Sequence, residues 1–129
     1  MDLKETISKV SYSDEQLYSI MYHETQKGTF VVQVRGKLCS TLEDFFREIS
    51  AAMRFPYYFG WNWAAFDECM TDLEWLSFSG LLIVIDNFNL LFQSETPAKT
   101  YKDMLSKHLN IVAEHWKSQG IPFIVYLNQ

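Results

Sequence analysis

Positive charge is missing from one third of this sequence. Between Phe55 and Ala98 there is no lysine or arginine, although the whole chain of 129 residues has 11. The same segment contains six acids and carries −6, while the remaining residues carry +1, which gives the net charge of −5. The six acids are Asp67, Glu68, Asp72, Glu74, Asp86 and Glu95. Because nucleic-acid affinity depends on cations that neutralise phosphates, we expect no direct binding to DNA or RNA.

Cysteines and long uncharged stretches are also scarce. The two cysteines, Cys39 and Cys69, are too few for a disulfide framework or a four-ligand zinc site, so we expect reduced thiols and no metal. The longest uncharged stretches have 12 residues, against about 20 needed to cross a bilayer. The first ten residues, MDLKETISKV, lack the apolar centre of a secretion signal. We therefore expect a cytoplasmic protein with no cofactor and no membrane partner.

The order of apolar patterns predicts a single α/β domain. Helical spacing is present over residues 13–24, from Leu42 to Met53, over residues 62–76 and from Ala98 to Gln119. Serine with glutamine or glutamate three residues later predicts capping boxes at Ser13 and Ser40. Apolar runs near residues 30–34, 81–86 and 122–127 predict strands. Strands that alternate with long helices favour a small three-stranded parallel sheet packed by helices.

The predicted helix over residues 62–76 has two different faces. Its apolar side contains Phe66, Cys69, Met70, Leu73 and Leu76. Its other side contains Ala64, Asp67, Glu68, Thr71, Asp72, Glu74 and Trp75. Nine aromatic residues fall between Phe55 and Phe78, and the ordinary interpretation is that they form the core. We therefore expect a buried face and an acidic face that carries at least one ring.

Catalytic and metal sites find little support in the pattern. The three histidines lack the partners of a general base, and no ligand at metal spacing accompanies His108 and His115. Glu68 and Asp72 could form the acid and base of a glycosidase, but such carboxylates normally face each other across a cleft. We therefore expect a protein that is not an enzyme.

The central segment resembles the signature of the barstar family of intracellular ribonuclease inhibitors. That segment reads FPYYFGWNWAAFDECMTDL from Phe55 to Leu73. The resemblance extends over residues 30–127, where the runs FVVQV and LLIVI and the long helix follow the family's order. The first 28 residues match nothing in the family. We therefore predict an N-terminal helical extension over residues 1–28 and a barstar-like domain over residues 29–129.

The resemblance implies a three-stranded parallel sheet with helices on one side, and inhibition by plugging an active site. It implies that the loop at Tyr58, Gly60 and Asn62 contacts the enzyme and that Glu68 occupies the phosphate site. The predicted target-binding residues are Tyr58, Gly60, Trp61, Asn62, Ala64, Asp67, Glu68, Thr71 and Asp72. The chain departs from the family pattern at Ala64, Asp67, His115 and Gln119.

The predicted partner is a basic ribonuclease or a related toxin, and the protein would act as its inhibitor, for example as an immunity protein. Carboxylates can replace RNA phosphates on the arginines and lysines of such an enzyme, and rings can replace bases. An alternative remains open, namely a binding module of the same fold whose partner is not a nuclease.

Overall fold

The computed structural model describes residues 6–129, which form one parallel sheet enclosed by four α-helices. The elements in chain order are β1 (Ile7–Val10), α1 (Asp14–Gln26), β2 (Thr29–Arg35), α2 (Leu42–Met53), α3 (Trp63–Met70), β3 (Gly80–Asp86), α4 (Ala98–Ser118) and β4 (Phe123–Asn128). Within this part of the chain, no helix combines the length and the apolar content needed to cross a bilayer.

Over residues 6–129 the sheet has four strands in the order β1-β4-β3-β2, and every neighbouring pair is parallel. The three strands predicted from apolar runs are confirmed as β2, β3 and β4. The expected number of strands was wrong, because β1 adds a fourth strand and pairs from Ile7↔Val125 to Val10↔Asn128. An edge strand of four residues needs few apolar side chains, so its sequence ISKV gives only a weak signal.

Helices cover both faces of the sheet. The larger core lies between one face and the helices α2, α3 and α4, and it contains Val34, Ile83 and Val125. On the opposite face, Leu17 of α1 packs with Leu82 and Val84. The expectation of helices on one side only was therefore wrong. Because both faces are covered, β3 is buried from Gly80 to Ile85, as its continuous apolar run predicts.

The N-terminal segment is part of this packing. The predicted helix is present as α1, and its capping box is confirmed because Ser13 Oγ accepts a hydrogen bond from the Gln16 backbone and Gln16 reaches back to Ser13. The strand β1 precedes it. Residues 1–5 of the predicted extension lie outside the described residues.

The helix α2 begins later than the predicted capping box at Ser40 requires. Its N-cap is Thr41, whose Oγ1 accepts a hydrogen bond from the Asp44 backbone N–H at 3.1 Å. The N–H of Leu42, the first residue of α2, donates a hydrogen bond to Glu95 Oε2 at 2.8 Å. The helix ends at Met53, because Arg54 adopts a left-handed conformation. The capping box predicted at Ser40 was therefore wrong by one residue.

Candidate functional site

The loop between α2 and α3 is closed by one asparagine. Asn62 is the N-cap of α3, and its Oδ1 accepts a hydrogen bond from the Ala65 N–H at 2.8 Å. Its Nδ2 donates to the Gly60 carbonyl at 3.1 Å. Both ends of the Asn62 side chain are thus used locally. This residue fixes the loop against the start of α3.

The helix α3 has the two faces that its pattern predicted. Phe66, Cys69 and Met70 are buried, with at most 1% of their surface exposed. Ala64 and Glu68 lie on the exposed side of the helix. Within α3 the predicted buried face is confirmed, and the predicted exposed face is confirmed at Ala64 and Glu68.

The structure departs from the prediction where α3 ends. The helix stops at Met70, and the Thr71 hydroxyl donates to the Asp67 carbonyl at 2.7 Å. Leu73 then adopts a positive φ of 48°, which turns the chain away from the helix axis. As a result Trp75 packs against the core, and its indole N–H donates to the Met53 carbonyl at 3.0 Å. The placement of Trp75 on the acidic face was therefore wrong, because a helical wheel fails beyond the end of its helix.

Exposed rings lie on the loop before α3, and exposed carboxylates lie on α3 and just after it. Tyr58 is half exposed, and partial desolvation followed by the charges of Asp72, Glu74 and Glu68 raises the pKa of its hydroxyl. These carboxylates therefore lie within electrostatic range of the ring. Trp61 is 47% exposed on the same loop. Of the nine rings between Phe55 and Phe78, only Tyr57, Tyr58 and Trp61 are largely exposed, and the other six belong to the core or pack against it.

Asp67 takes part in an internal contact that sequence reasoning missed. Both of its carboxylate oxygens lie 2.9 Å from His108 Nδ1 on α4. The imidazole stacks on Trp63, with ring centroids 4.6 Å apart and planes 3° from parallel. Because Asp67 and His108 are 41 residues apart, no spacing in the sequence signals this pair. Of the predicted target-binding residues, Asp67 is thus directed partly toward α4.

The six acids of the segment from Phe55 to Ala98 lie at three separate places in the fold. Asp67, Glu68, Asp72 and Glu74 belong to α3 and the turns after it. Asp86 lies at the end of β3, where its Oδ1 accepts a hydrogen bond from Asn128 Nδ2 at 3.0 Å. Glu95 caps α2. Only four of the six carboxylates therefore contribute to the acidic region around α3. We call Tyr58, Trp61, Asn62, Ala64, Glu68 and Asp72 the α3 surface.

The last turns of α4 lie beside the end of α3. The Trp116 indole N–H donates to the Met70 carbonyl at 2.8 Å. The rings of His115 and Trp116 pack together, with their centroids 4.8 Å apart. His115 is half-buried and Gln119 is exposed. These two departures from the family pattern therefore lie in the last turn of α4 and at its C-cap, close to the residue that contacts the end of α3.

The thiols and the ligand-type residues give no reactive or metal-binding arrangement. Burial raises the pKa of the Cys39 thiol to about 12, and burial followed by Glu68 and Asp72 raises that of Cys69. Both cysteines are free and buried. Over residues 6–129, no three histidine, cysteine or acidic side chains are placed to hold a metal ion. What the α3 surface offers is a set of carboxylates beside exposed rings, which suits a cationic partner.

Comparison with known proteins agrees with the resemblance found in the sequence. The family model described as Barstar (barnase inhibitor) matches residues 29–128. A search of curated proteins found no match.

Proposed function

The chain belongs to the barstar family, and on that basis we propose that it inhibits a basic ribonuclease by covering the active site with its α3 surface. The observation that carries the proposal is that Glu68 and Asp72 are both exposed, on α3 and just after it, in a segment without lysine or arginine. A ribonuclease holds RNA with cations around the phosphates, so exposed carboxylates can occupy the same positions.

Glu68 is the residue on which this proposal depends most. It is exposed at the middle of α3, whereas its neighbours Asp67 and Thr71 make contacts inside the protein. When Glu68 is buried against arginines of the enzyme, its removal leaves those cations unpaired. Truncating one partner of a buried charge pair costs about 2–5 kcal/mol of binding, a general range to which the barnase–barstar pair itself contributed.

The proposal is tested by titrating the protein into a barnase-type ribonuclease that cleaves a fluorogenic RNA. Glu68→Ala should weaken inhibition by the amount given above and leave the denaturation midpoint nearly unchanged, because Glu68 is solvent-exposed. The matched control is Glu114→Ala, which removes an exposed acid from α4. Absence of inhibition by the parent, or equal inhibition by Glu68→Ala, would contradict the proposal.

The contact between Asp67 and His108 supports a second candidate, a basic partner that is not a nuclease. This contact directs one acid toward α4, and Ala64 contributes no charge on the exposed side of α3. A partner with fewer or differently placed cations would suit that arrangement. Capture of such a partner that is lost in Glu68→Ala, together with no inhibition of ribonucleases, would favour this candidate.

We also propose that residues 1–28 form an extension built onto a barstar-like domain of residues 29–129. The family match begins at residue 29, and β1 and α1 add a strand and a second helical layer to the sheet. The helix α1 lies on the opposite face of the sheet from α3.

A further inference from the structure

A hollow of about 300 Å³ lies beside the α3 surface, between Trp61 and the first turns of α2. It is lined by Leu42, Glu43, Phe46 and Trp61. Phe46 is buried and Leu42 is half-buried, so these two side chains provide an apolar floor. The indole of Trp61 forms an exposed aromatic wall, and the Glu43 carboxylate stands at the rim.

Trp61 is held in place by its surroundings. Its φ of 60° lies in the left-handed region, which a residue with a side chain adopts at an energetic cost. The ring packs against Phe59 with centroids 5.7 Å apart, and the hydrogen bond from Asn62 to the Gly60 carbonyl closes the loop around it. The backbone conformation and the packing thus hold this large ring in an exposed position.

Glu43 is available to a cation from outside. Its side chain is 74% exposed, and its contact with Arg47 is long at 3.7 Å. Arg47 lies closer to Asp44, at 2.9 Å. Glu95 adds a further carboxylate near the hollow, because it accepts the hydrogen bond from the Leu42 N–H. The carboxylates near the hollow therefore carry more negative charge than Arg47 neutralises.

We propose that this hollow receives an arginine side chain of the basic partner. The guanidinium stacks on Trp61 and pairs with Glu43, while its methylene stem lies over Leu42 and Phe46. A planar guanidinium can stack on a ring and pair with a carboxylate at the same time. A lysine ammonium does this less well. An apolar side chain would desolvate Glu43 without a hydrogen bond, and a nucleic-acid phosphate would be repelled by it.

This inference rests on the proposed function, because the hollow adjoins the α3 surface that contacts the partner. It adds a second anchoring point, separate from Glu68 and formed with α2. Trp61 and Glu43 then help to determine which basic proteins bind, since only a partner with an arginine at the matching place fills the hollow.

The test needs no ribonuclease. The indole N–H signal of Trp61, identified by its loss in Trp61→Phe, is followed by NMR in the ¹⁵N-labelled protein during titration with N-acetyl-arginine amide. We expect a saturable shift at millimolar ligand. N-acetyl-citrulline amide, which has the same shape without the charge, should bind several-fold more weakly. Glu43→Gln should weaken arginine binding several-fold, while the control Glu114→Gln should not.

Three results would overturn the inference: no saturable shift with arginine, an equal response to citrulline, or unchanged arginine binding in Glu43→Gln. These results are independent of ribonuclease inhibition, which is decided by Glu68→Ala, so either proposal can fail alone. If a ribonuclease is inhibited, Trp61→Leu should weaken inhibition by roughly 3- to 30-fold, the range of a cation–π contact. The matched control is Tyr57→Leu, which removes a fully exposed ring outside the hollow.

Discussion

Asn128 connects three segments of the chain by side-chain hydrogen bonds. Replacing it by aspartate tests how much the packing of the N-terminal segment depends on these hydrogen bonds. This last residue of β4 is 3% exposed. Its Oδ1 accepts a hydrogen bond from the Tyr12 N–H at 2.7 Å, and its Nδ2 donates to the Tyr12 carbonyl at 3.2 Å and to Asp86 Oδ1 at 3.0 Å. Asn128→Asp keeps the shape but replaces the donating nitrogen with an anionic oxygen.

The expected cost follows from the distance to Asp86. Two unit charges about 3 Å apart repel by about 5 kcal/mol at an effective dielectric constant of about 20. One carboxyl can avoid this repulsion by binding a proton, while the lost hydrogen bonds add about 1 kcal/mol each. We therefore expect Asn128→Asp to lower the free energy of unfolding by about 3–5 kcal/mol near pH 7, out of a typical total of about 5–15 kcal/mol.

The sign of the pH dependence is part of the prediction. Repulsion and burial raise the pKa of the carboxyl pair above its unfolded value, so the folded variant binds more protons than the unfolded chain. Its deficit relative to the parent is then largest near neutral pH and shrinks as the pH falls toward about 4. Urea denaturation followed by tryptophan fluorescence, at about pH 7 and about pH 4.5, measures both quantities.

Gln33→Glu is the matched control for Asn128→Asp. Gln33 Nε2 also donates to the Asp86 carboxylate, at 3.3 Å, but its side chain is exposed, so the new charge should cost less than about 1 kcal/mol. Equal losses in the two variants, or a loss in Asn128→Asp that does not change with pH, would contradict this prediction.

Four further predictions concern packing, charge and salt. Phe66→Ala, at a side chain with 0% exposure, should lower the free energy of unfolding by about 3–5 kcal/mol, and a denaturation midpoint close to the parent's would contradict this. The hydrogen bonds of the Arg35 guanidinium hold the pKa of Glu48 below its usual range. This ion pair therefore stabilises the folded protein at neutral pH and loses its effect as the pH falls below about 4.3. In Arg35→Gln, the free energy of unfolding should depend less on pH in that range. Gly36→Ala should destabilise by about 1–3 kcal/mol because a Cβ there would lie 2.3 Å from the carbonyl oxygen at the end of β3, whereas a Cβ at Gly120 meets no atom within 4 Å and Gly120→Ala should report only the strain of its φ of 72°. Association with a basic ribonuclease should slow markedly with added salt while dissociation changes less, and a stopped-flow association rate indifferent to salt would count against electrostatic steering.

Part of the acidic surface could be predicted from the sequence and part could not. Local spacing correctly assigned Glu68 to the exposed side of α3 and Phe66 to the buried side, because one helix determines both positions. The contact of Asp67 with His108 could not be predicted, since it depends on how α3 and α4 pack. Trp75 was misplaced for a related reason, because the turn at Leu73 interrupts the helical period.

The elements that could be predicted from the amino-acid sequence are those with a local and strong signal: the three apolar strands, the capped helix α1, the apolar stripe of α2 and the long helix α4. Three features depend on how the whole chain packs: β1 pairs with β4 more than a hundred residues away, α1 covers the second face of the sheet, and Trp61 and Glu43 line one hollow. The physical reason is the same in each case. A helix or a buried strand is specified by the periodicity of its own side chains, whereas an edge pairing or a surface hollow forms only when segments distant in the chain pack together.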